Sequence, residues 1–430
     1  MNENTTSTNR ARVQRPERRQ IEMRMHSLDQ LVPADHRVRI VWRFVESLDL
    51  TPLYEQIRAV KGHAGRDPID PRILMALWLF ATIEGISSGR EIDRRCKRDL
   101  PYMWICGGVG VNHHSISDFQ TDHGELLNQL LTDTIAALLH QDLITLDVVA
   151  QDGMRVRASA GKSSFQRQAT LEKCREQAAE RVRQMHEERE HNHDGDAGNA
   201  RQQAARERAA REREKRVNKA LEELEQLKQQ KEKRKKGSGK DARASTTDPE
   251  ARTMKMANGG YNPAYNVQFA TDGKTRMIVA VDVTNSGSDR GQMSPMQEDV
   301  CDRYQKPPRK YLVDGGFANK DDITLVEKNH SEVIAPIHGE DSMCERGVDP
   351  HARQRGDSDE MFAFRQRMAG EEAKTLYRQR SSIAEFPNAE CRNRGLQQFR
   401  VRGLVKAKAV ALWHALTFNL MRMIDLGFVT

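Results

Sequence analysis

A long run of charged, helix-favouring residues divides this chain of 430 residues into separate parts. Residues 166–237 consist largely of Ala, Glu, Lys, Leu, Gln and Arg. Apolar side chains recur in steps of three and four, as at Val217, Leu221 and Leu224, which is the spacing of a coiled-coil seam. The sequence HNHDGDAGN (191–199) predicts a turn. We therefore predict an inserted antiparallel coiled-coil hairpin with its linker at 161–260, and globular units on either side of it.

The segment before the insertion indicates helices. Residues 1–26 are rich in Arg and predict a flexible basic arm, whereas residues 27–140 have apolar residues at helical spacing. Asp70-Pro71 is typical of a helix start, because Asp caps the free amides and Pro suits the first helical position. Short helices joined by tight turns favour a helix-turn-helix DNA-binding domain at 27–140, or alternatively a packing or dimerisation domain.

The segments flanking the insertion predict strands. Residues 143–152 are rich in β-branched residues and end in Asp152-Gly153, which predicts one long strand or a tight hairpin. Asp272-Gly273 lies between two alternating apolar runs and predicts a second hairpin. A short buried strand ends at Asp314. Further along, helices are predicted from 371, with a break near Pro387, and from 403 to 424, and residues 338–358 are predicted to be a loop.

This order of elements is that of a ribonuclease-H-like fold. A sheet that begins with a β-hairpin is followed by alternating strands and helices. We therefore predict an α/β core with a mixed sheet, formed by residues 141–160 and 261–430. In that plan, acids at the ends of two neighbouring strands face an acid on a later helix. Asp152, Asp314 and a Glu between 371 and 395 are the candidates.

Three converging carboxylates suit two-metal phosphoryl transfer. Two divalent cations about 3.5–4 Å apart activate the attacking oxygen and stabilise the leaving one. Mg²⁺ is a hard ion that prefers oxygen ligands. Without a cation, such carboxylates would repel each other and their pKa values would rise. The sequence therefore predicts two Mg²⁺ ions, with Mn²⁺ as a substitute.

Composition excludes other classes of protein. The net charge of +7 and the pI near 9.0 fit an anionic partner. The longest apolar run, 73–83, is shorter than the roughly 17–25 residues of a membrane-spanning helix. The polar N-terminus is unlike a signal peptide. The six cysteines lack the spacing of a zinc ribbon and favour a reducing compartment, so we expect a cytoplasmic protein.

Several motifs together resemble one known family. Asp152-Gly153, the run Leu312-Val313-Asp314-Gly315-Gly316-Phe317, and Tyr377-x-x-Arg380 followed by Glu385 resemble the three signatures of bacterial insertion-sequence DDE transposases. The helical segment 70–119 and the C-terminal tail resemble one branch of that family. The resemblance implies catalytic, metal-binding roles for Asp152, Asp314 and Glu385. It also implies that Tyr377 and Arg380 hold DNA phosphate near them.

The chain departs from the family pattern around the third acid. The Lys that commonly follows the catalytic Glu by seven residues is Arg392 here, which keeps the charge and can still bind phosphate. Pro387 would remove one helical hydrogen bond and bend the helix. Asn388 replaces a frequent aromatic residue. These departures leave Glu390 as a second candidate for the acid.

Two groups of basic residues are candidate DNA contacts, because each neutralised phosphate strengthens binding. One group follows the third acid and comprises Arg392, Arg394, Arg400, Arg402, Lys406 and Lys408. The other lies in the N-terminal helices and comprises Arg94, Arg95, Lys97 and Arg98. A solvated basic face is the alternative explanation for the first group.

The resemblance implies a DDE transposase. Such a protein binds the element's terminal repeats and target site in double-stranded DNA, as a homodimer or larger assembly, and performs metal-dependent cleavage and strand transfer. Two alternatives stay open: a nuclease or resolvase of the same fold that cuts without joining, and a catalytically inactive DNA-binding relative. A coiled-coil scaffold would leave the acids at the strand ends unexplained.

Overall fold

The computed structural model describes residues 25–57, 67–191 and 197–429. The predicted basic arm lies outside the described residues as far as position 24, and so do positions 192–196 of the predicted hairpin turn. Helices precede the first strand: α1 (Arg37–Ser47), α2 (Thr51–Glu55), α3 (Pro71–Ile83), α4 (Gly89–Arg95), α5 (Leu100–Cys106), α6 (His113–Asp122) and α7 (Gly124–His140).

The predicted helix start at Asp70-Pro71 is confirmed. The Asp70 carboxylate accepts a hydrogen bond of 2.8 Å from the amide of Arg72, and Pro71 is the first residue of α3. A side-chain cap of this kind stabilises a helix by about 1 kcal/mol. Every residue of α3 after Arg72 is buried, which explains why its sequence is apolar on all sides.

Eight strands follow in the described part of the chain: β1 (Val148–Arg157), β2 (Phe165–Gln166), β3 (Ala244–Ser245), β4 (Arg252–Lys255), β5 (Tyr261–Asp272), β6 (Ile278–Thr284), β7 (Lys310–Leu312) and β8 (Glu332–Ile334). One mixed sheet contains six of them. β5 pairs antiparallel with β1 along one edge and with both β4 and β6 along the other. On the far side, β1 pairs parallel with β7, and β7 pairs parallel with β8. The predicted hairpin at Asp272-Gly273 is confirmed as the connection between β5 and β6.

Of the two alternatives predicted around Asp152-Gly153, the one long strand is confirmed, whereas the tight hairpin and a strand end at this dipeptide are wrong. β1 continues through both residues, and Asp152 pairs with Phe269 of β5 in mid-strand. Asp-Gly favours a hairpin turn when the segments on its two sides pair with each other. Here both segments pair with the long strand β5, and β1 stays extended.

The later helices are α8 (Gln168–His191), α9 (Ala197–Arg234), α10 (Met293–Tyr304), α11 (Lys320–Lys328), α12 (Glu340–Glu345), α13 (Asp359–Ala369), α14 (Glu371–Asn393) and α15 (Leu404–Asp425). The predicted break near Pro387 is wrong, because α14 continues through that residue and buries it. The predicted loop at 338–358 contains the short helix α12.

α15 connects the two sides of the molecule. It packs on strand β6 and also on the N-terminal helices α3, α6 and α7. Its residue Trp413 is buried beside Trp78 of α3, and the Trp413 indole donates a hydrogen bond of 3.0 Å to the carbonyl of Gln120. The N-terminal helices and the sheet therefore share one continuous hydrophobic core.

The insertion between β1 and β5 forms a pair of long helices. α8 and α9 run antiparallel, since Gln168 contacts Lys228 and His186 contacts Arg211. A small separate core with Leu171, Ala220 and Leu224 lies at the base of the pair. Below it, β2 and β3 form a two-stranded ribbon that closes the insertion.

None of the helices in the described parts of the chain combines the length and apolarity needed to cross a membrane.

Candidate active site

The first two predicted acids lie at equivalent positions on neighbouring strands. The parallel pairing of β1 with β7 ends at Ala150 and Leu312. Asp152 and Asp314 each follow this pair by two residues. β1 continues beyond Ala150, whereas β7 ends at Leu312. Asp152 on β1 and the loop that follows β7 therefore lie at the same end of this strand pair. The sheet register therefore brings these two carboxylates to one place.

A tight loop holds Asp314. The amide of Gly316 donates a hydrogen bond of 2.8 Å to Asp314 Oδ1, and the amide of Phe317 donates one of 3.2 Å to the Asp314 carbonyl. A Cβ atom at Gly316 would lie 2.9 Å from Oδ1 of Asp314. Phe317 is fully buried and fixes the loop to the core. Glycine at 316 thus allows the backbone to approach the carboxylate.

Helix α14 lies on β1 and β5 and brings its side chains to Asp152. Asn388, which is buried, donates a hydrogen bond of 2.8 Å from Nδ2 to Asp152 Oδ2. Its other polar atom, Oδ1, is buried without a hydrogen-bond partner among the described residues. No local pattern in the sequence predicts this contact, because the two residues are 236 positions apart.

Arg380 of the same helix lies between the first and third predicted acids. Its Nη1 atom is 3.7 Å from Asp152 Oδ1, and its Nη2 atom donates a hydrogen bond of 3.0 Å to Glu385 Oε1. The Arg380 side chain is only 11 % exposed, whereas that of Glu385 is 54 % exposed. Arg380 therefore connects the buried carboxylate of Asp152 with the exposed carboxylate of Glu385.

Burial dominates the electrostatics of the site, and the charges of neighbouring acids add to its effect. The pKa of Asp152 is raised to about 6, mainly by burial. Arg380 and the hydrogen bonds from Gly153 and Asn388 oppose this rise, and the charge of Asp314 adds to it. Burial also raises the pKa of Tyr377, while Arg380 lowers it and the charges of Asp314 and Glu385 raise it. Tyr377 and Asp152 therefore lie in one electrostatic neighbourhood with the other two predicted acids.

The donor atoms near Asp152 suit a hard cation, although three ligands do not converge on one point. Within residues 25–57, 67–191 and 197–429, no group of three His, Cys, Asp or Glu side chains is arranged to hold a metal ion. Asp152 and Asp314 supply carboxylate oxygens, which Mg²⁺ prefers. Glu385 is engaged with Arg380 and would have to turn from it to join them.

Glu390, the second candidate for the acid, has a different partner. Its Oε2 atom accepts a hydrogen bond of 3.1 Å from Arg394, which also donates one of 3.2 Å to the carbonyl of Ile83. Glu390 therefore links α14 to the end of α3 through Arg394. The carboxylate that contacts Arg380 beside Asp152 is that of Glu385.

The opposite face of β1 is a buried polar network that sequence reasoning missed. Asp289 accepts hydrogen bonds of 2.7 Å from Asn266, 2.9 Å from Gln268 and 2.7 Å from Arg155. A Cβ atom at Gly153 would lie 2.2 Å from Asp289 Oδ1. Gly153 is therefore required for the fit of Asp289 against the strand, directly behind Asp152.

The predicted DNA-contact residues fall into two groups. The first group bonds to acids within the protein: Arg94 to Glu91, Arg95 to Glu84, Glu91 and Asp99, Lys97 to Asp93, Arg394 to Glu390, and Lys408 to Asp282. The second group has no ion pair within the described parts of the chain and comprises Arg98, Arg392, Arg400, Arg402 and Lys406. Arg400 donates a hydrogen bond of 3.0 Å to Ser87. The second group is the better placed to meet an external anion.

Two family models match the chain. A transposase domain (DUF772) matches residues 26–122, and a transposase DDE domain matches residues 234–420. Together they cover about two thirds of the chain, and the second contains Asp314 and Glu385 while Asp152 lies between the two. Searches of curated proteins and of solved structures gave no match. The two models, in this order along one chain, support the assignment of the protein to the insertion-sequence DDE transposases.

Proposed function

We propose that the protein is a metal-dependent DNA transposase whose catalytic acids are Asp152, Asp314 and Glu385. It binds the terminal repeats of its element, cleaves a phosphodiester at each element end, and transfers the freed 3′-hydroxyl to target DNA. The observation that carries this proposal is the equivalent register of Asp152 and Asp314 on adjacent parallel strands, beside the helix that bears Glu385.

The strand order supports a ribonuclease-H-like catalytic domain built from residues 141–160 and 261–430. Its sheet has three antiparallel strands, β6, β5 and β1, followed by the parallel strands β7 and β8. Helices alternate with the last strands, as that plan requires. The helix pair α8–α9 belongs to the insertion at 161–260, and it enters this domain between β1 and β5.

The residues around Asp152 have distinct roles in this chemistry. Asp152 and Asp314 would hold divalent cations, Mg²⁺ or Mn²⁺, with Glu385 completing the set. Such cations supply charge stabilisation for the attacking and leaving oxygens of phosphoryl transfer. Asn388 fixes one carboxylate oxygen of Asp152, and Arg380 keeps a positive charge between Asp152 and Glu385. Preorganised groups of this kind lower the barrier because they need not reorient during the reaction.

The remaining parts of the chain support recognition of DNA. We assign the helices of residues 27–140 to terminal-repeat binding, with the basic arm 1–26 as an additional phosphate contact. Arg392, Arg400, Arg402 and Lys406 are cations without an ion pair within the described residues, and each can neutralise a DNA phosphate. We expect a homodimer or larger assembly on DNA, acting in the cytoplasm at the nucleoid.

The test is cleavage and joining of labelled DNA that carries the element's flanking ends, with Mg²⁺ or Mn²⁺. Wild type is compared with Asp152→Asn, Asp314→Asn and Glu385→Gln. Asp147→Asn is the matched control, because Asp147 is an exposed acid immediately before β1. The proposal requires that wild type and the control cut and join, and that each site variant binds the ends without cutting.

Two other results would replace the proposal. Cutting without any joined product by wild type would indicate a nuclease or resolvase of the same fold. Binding of ends without cutting, unchanged in all three site variants, would indicate a DNA-binding relative in which the acids no longer act.

A further inference from the structure

A cavity of about 480 Å³ opens beside Gly153, the residue after the first predicted acid. Its walls come from β1, from the turn between β4 and β5, from the loop after β6, and from the end of α14. The lining residues are Gly153, Arg155, Lys255, Met256, Ala257, Gly287 and Arg392. Three of these seven are cations and none is an acid. A cavity of this size is within the roughly 300–1,000 Å³ of small-ligand sites.

The cavity lies along a stretch of β1 that lacks a strand partner on one side. β7 pairs with β1 only as far as Ala150, and the chain after α14 returns to this edge at Arg157, which bridges to Gln398. Between these points no described strand covers the edge of β1. Residues from both sides of the sheet can therefore reach Gly153, which explains why Arg155 and Arg392 line one cavity.

Arg155 is held in place by the buried network behind Gly153. Its Nη2 atom donates hydrogen bonds of 2.7 Å to Asp289 Oδ2 and 3.2 Å to the carbonyl of Gly287. Both of its side-chain hydrogen bonds within the described residues use this one nitrogen. The remaining guanidinium donors are therefore preorganised for a second, external acceptor, and a guanidinium presents paired donors that match phosphate oxygens.

Lys255 and Arg392 have no ion pair within the described parts of the chain. A second cavity has a different balance of charge. It is lined by three cations, among them Lys310 and Arg367, and by two acids. Lys310 forms an ion pair with Glu372 there, and Arg367 forms one with Glu332. The cavity beside Gly153 has one acid behind it, Asp289, against three cations, so its charge is not neutralised within the described residues.

We propose that this cavity binds a backbone phosphate of DNA, with Arg155 and Lys255 as contact residues together with Arg392. The inference rests on the proposed function, which places the reacting phosphodiester at Asp152, and it adds a second phosphate position next to it. A phosphate held here fixes the strand relative to Asp152, because Gly153 is common to the cavity wall and to the catalytic strand. Arg155 and Lys255 are thus positioning residues for the DNA strand.

The test measures how DNA binding by the full-length protein depends on salt. The probe is a labelled duplex, and the variants are Lys255→Gln and Lys255→Arg. Lys274→Gln is the matched control, because Lys274 is also an exposed lysine, in the turn between β5 and β6. Lys255 is exposed and makes no ion pair within the described residues, so its replacement leaves the fold intact.

Lys255→Gln is expected to lower the slope of log affinity against log salt by about 0.9, the value for one phosphate contact. When the salt concentration rises fourfold, the DNA affinity of wild type then falls by a factor about 3.5 times larger than that of Lys255→Gln. Lys255→Arg and Lys274→Gln should keep the slope of wild type. A slope unchanged in Lys255→Gln overturns the inference while leaving the proposed function standing.

A second arm separates a DNA phosphate from a free anion. Inorganic phosphate is titrated into wild type and Lys255→Gln by calorimetry. Phosphate binding that is lost in Lys255→Gln, combined with an unchanged salt slope for DNA, would identify a free-anion site and overturn the inference. If wild type binds no duplex at all, the proposed function itself fails, and that result is distinct from an unchanged slope.

Discussion

Asn388 on helix α14 donates a hydrogen bond of 2.8 Å to Asp152 on strand β1, and the two residues are 236 positions apart in the chain. Asn388 is buried, so its amide cannot turn to solvent when Asp152 changes its bonding. The bond fixes one oxygen of the carboxylate and leaves the other facing Arg380.

Replacement of Asn388 should therefore slow catalysis more than it weakens DNA binding. In Asn388→Ala, the Asp152 carboxylate loses a hydrogen bond that fixes its orientation, and we expect a cleavage rate about 10–100-fold lower, as for other residues that orient metal ligands. Single-turnover cleavage and binding of the same DNA measure the two effects. Asn393→Ala, an exposed asparagine of the same helix, is the control. Equal losses of rate and affinity would contradict the orienting role.

Arg380 should be replaceable by Lys only in part. A lysine at this position would keep a positive charge near Asp152, but a single ammonium group cannot contact Asp152 and Glu385 with two separate nitrogens, as the guanidinium does. We expect Arg380→Lys to cleave more slowly than wild type and Arg380→Gln more slowly still. Cleavage rates at saturating DNA test this order, and urea denaturation shows whether the variants stay folded. Full activity of Arg380→Gln would remove Arg380 from the site.

Gly153→Ala should destabilise the protein. The added methyl group would lie 2.2 Å from Asp289 Oδ1 and 2.5 Å from Gln268 Nε2, and both partners are held by the buried network. Overpacking of this kind costs about 1–3 kcal/mol of unfolding free energy. Gly161→Ala is the matched control, since its Cβ would meet no atom closer than 3.6 Å. Urea denaturation measures both variants, and equal stabilities would show that the network yields to the methyl group.

His414 should make stability fall in mild acid. Burial lowers the pKa of His414 to about 4, and its Nδ1 atom is buried without a hydrogen-bond partner among the described residues. The unfolded chain takes up this proton near pH 6.5, so the contribution of His414 to stability is complete above that pH and decreases as the pH falls towards 4. We expect wild type to lose about 2 kcal/mol relative to His414→Leu between pH 7.5 and pH 5.

Urea denaturation at both pH values tests this expectation. His140→Gln, which changes an exposed histidine at the end of α7, serves as the control and should follow wild type. If the difference in unfolding free energy between wild type and His414→Leu is the same at both pH values, His414 does not cause the loss of stability in acid.

The outer part of the α8–α9 pair should be removable without loss of the fold. Replacing residues 180–215 by a short Gly-Asn turn keeps the small core with Leu171, Ala220 and Leu224. It also keeps the ion pair of 2.9 Å between Lys219 and Glu250. We expect this variant to unfold cooperatively but to form smaller complexes on DNA, because we infer that the helix pair mediates contact between copies. Light scattering with and without DNA measures this, and an unchanged complex size and end binding would refute the inferred role.

Local signals in the sequence predicted the helices and one hairpin well. The cap at Asp70 and the turn at Asp272-Gly273 are determined by adjacent residues, and both predictions are confirmed. The same dipeptide at Asp152-Gly153 left a long strand and a hairpin as alternatives, and the structure has the strand. The choice depends on tertiary packing, because Asp289, more than a hundred residues away, packs over Gly153 in the extended strand.

In the candidate site, too, sequence order predicted some residues, whereas others reach the site only through tertiary packing. The order of strands and acids predicted Asp152 and Asp314 as neighbours, and the structure has them at equivalent register positions. Their assignment as catalytic residues stays a prediction. Asn388, Arg155 and Lys255 were not predicted as site residues, because each reaches the site through tertiary packing. The continuity of α14 through Pro387 was also not predicted, and the structure buries this residue within the helix.

The position of α15 has a consequence for synthesis of the protein on the ribosome. The N-terminal helices emerge first, but their shared core is completed by Trp413 and its neighbours, which are made last. Helix α14, with Asn388, Arg380 and Glu385, is also translated late. A nascent or truncated chain thus lacks both the buried partner of its first helices and the helix that carries Glu385. If the proposed catalytic role of Glu385 is correct, such a chain cannot cut DNA until translation is nearly finished.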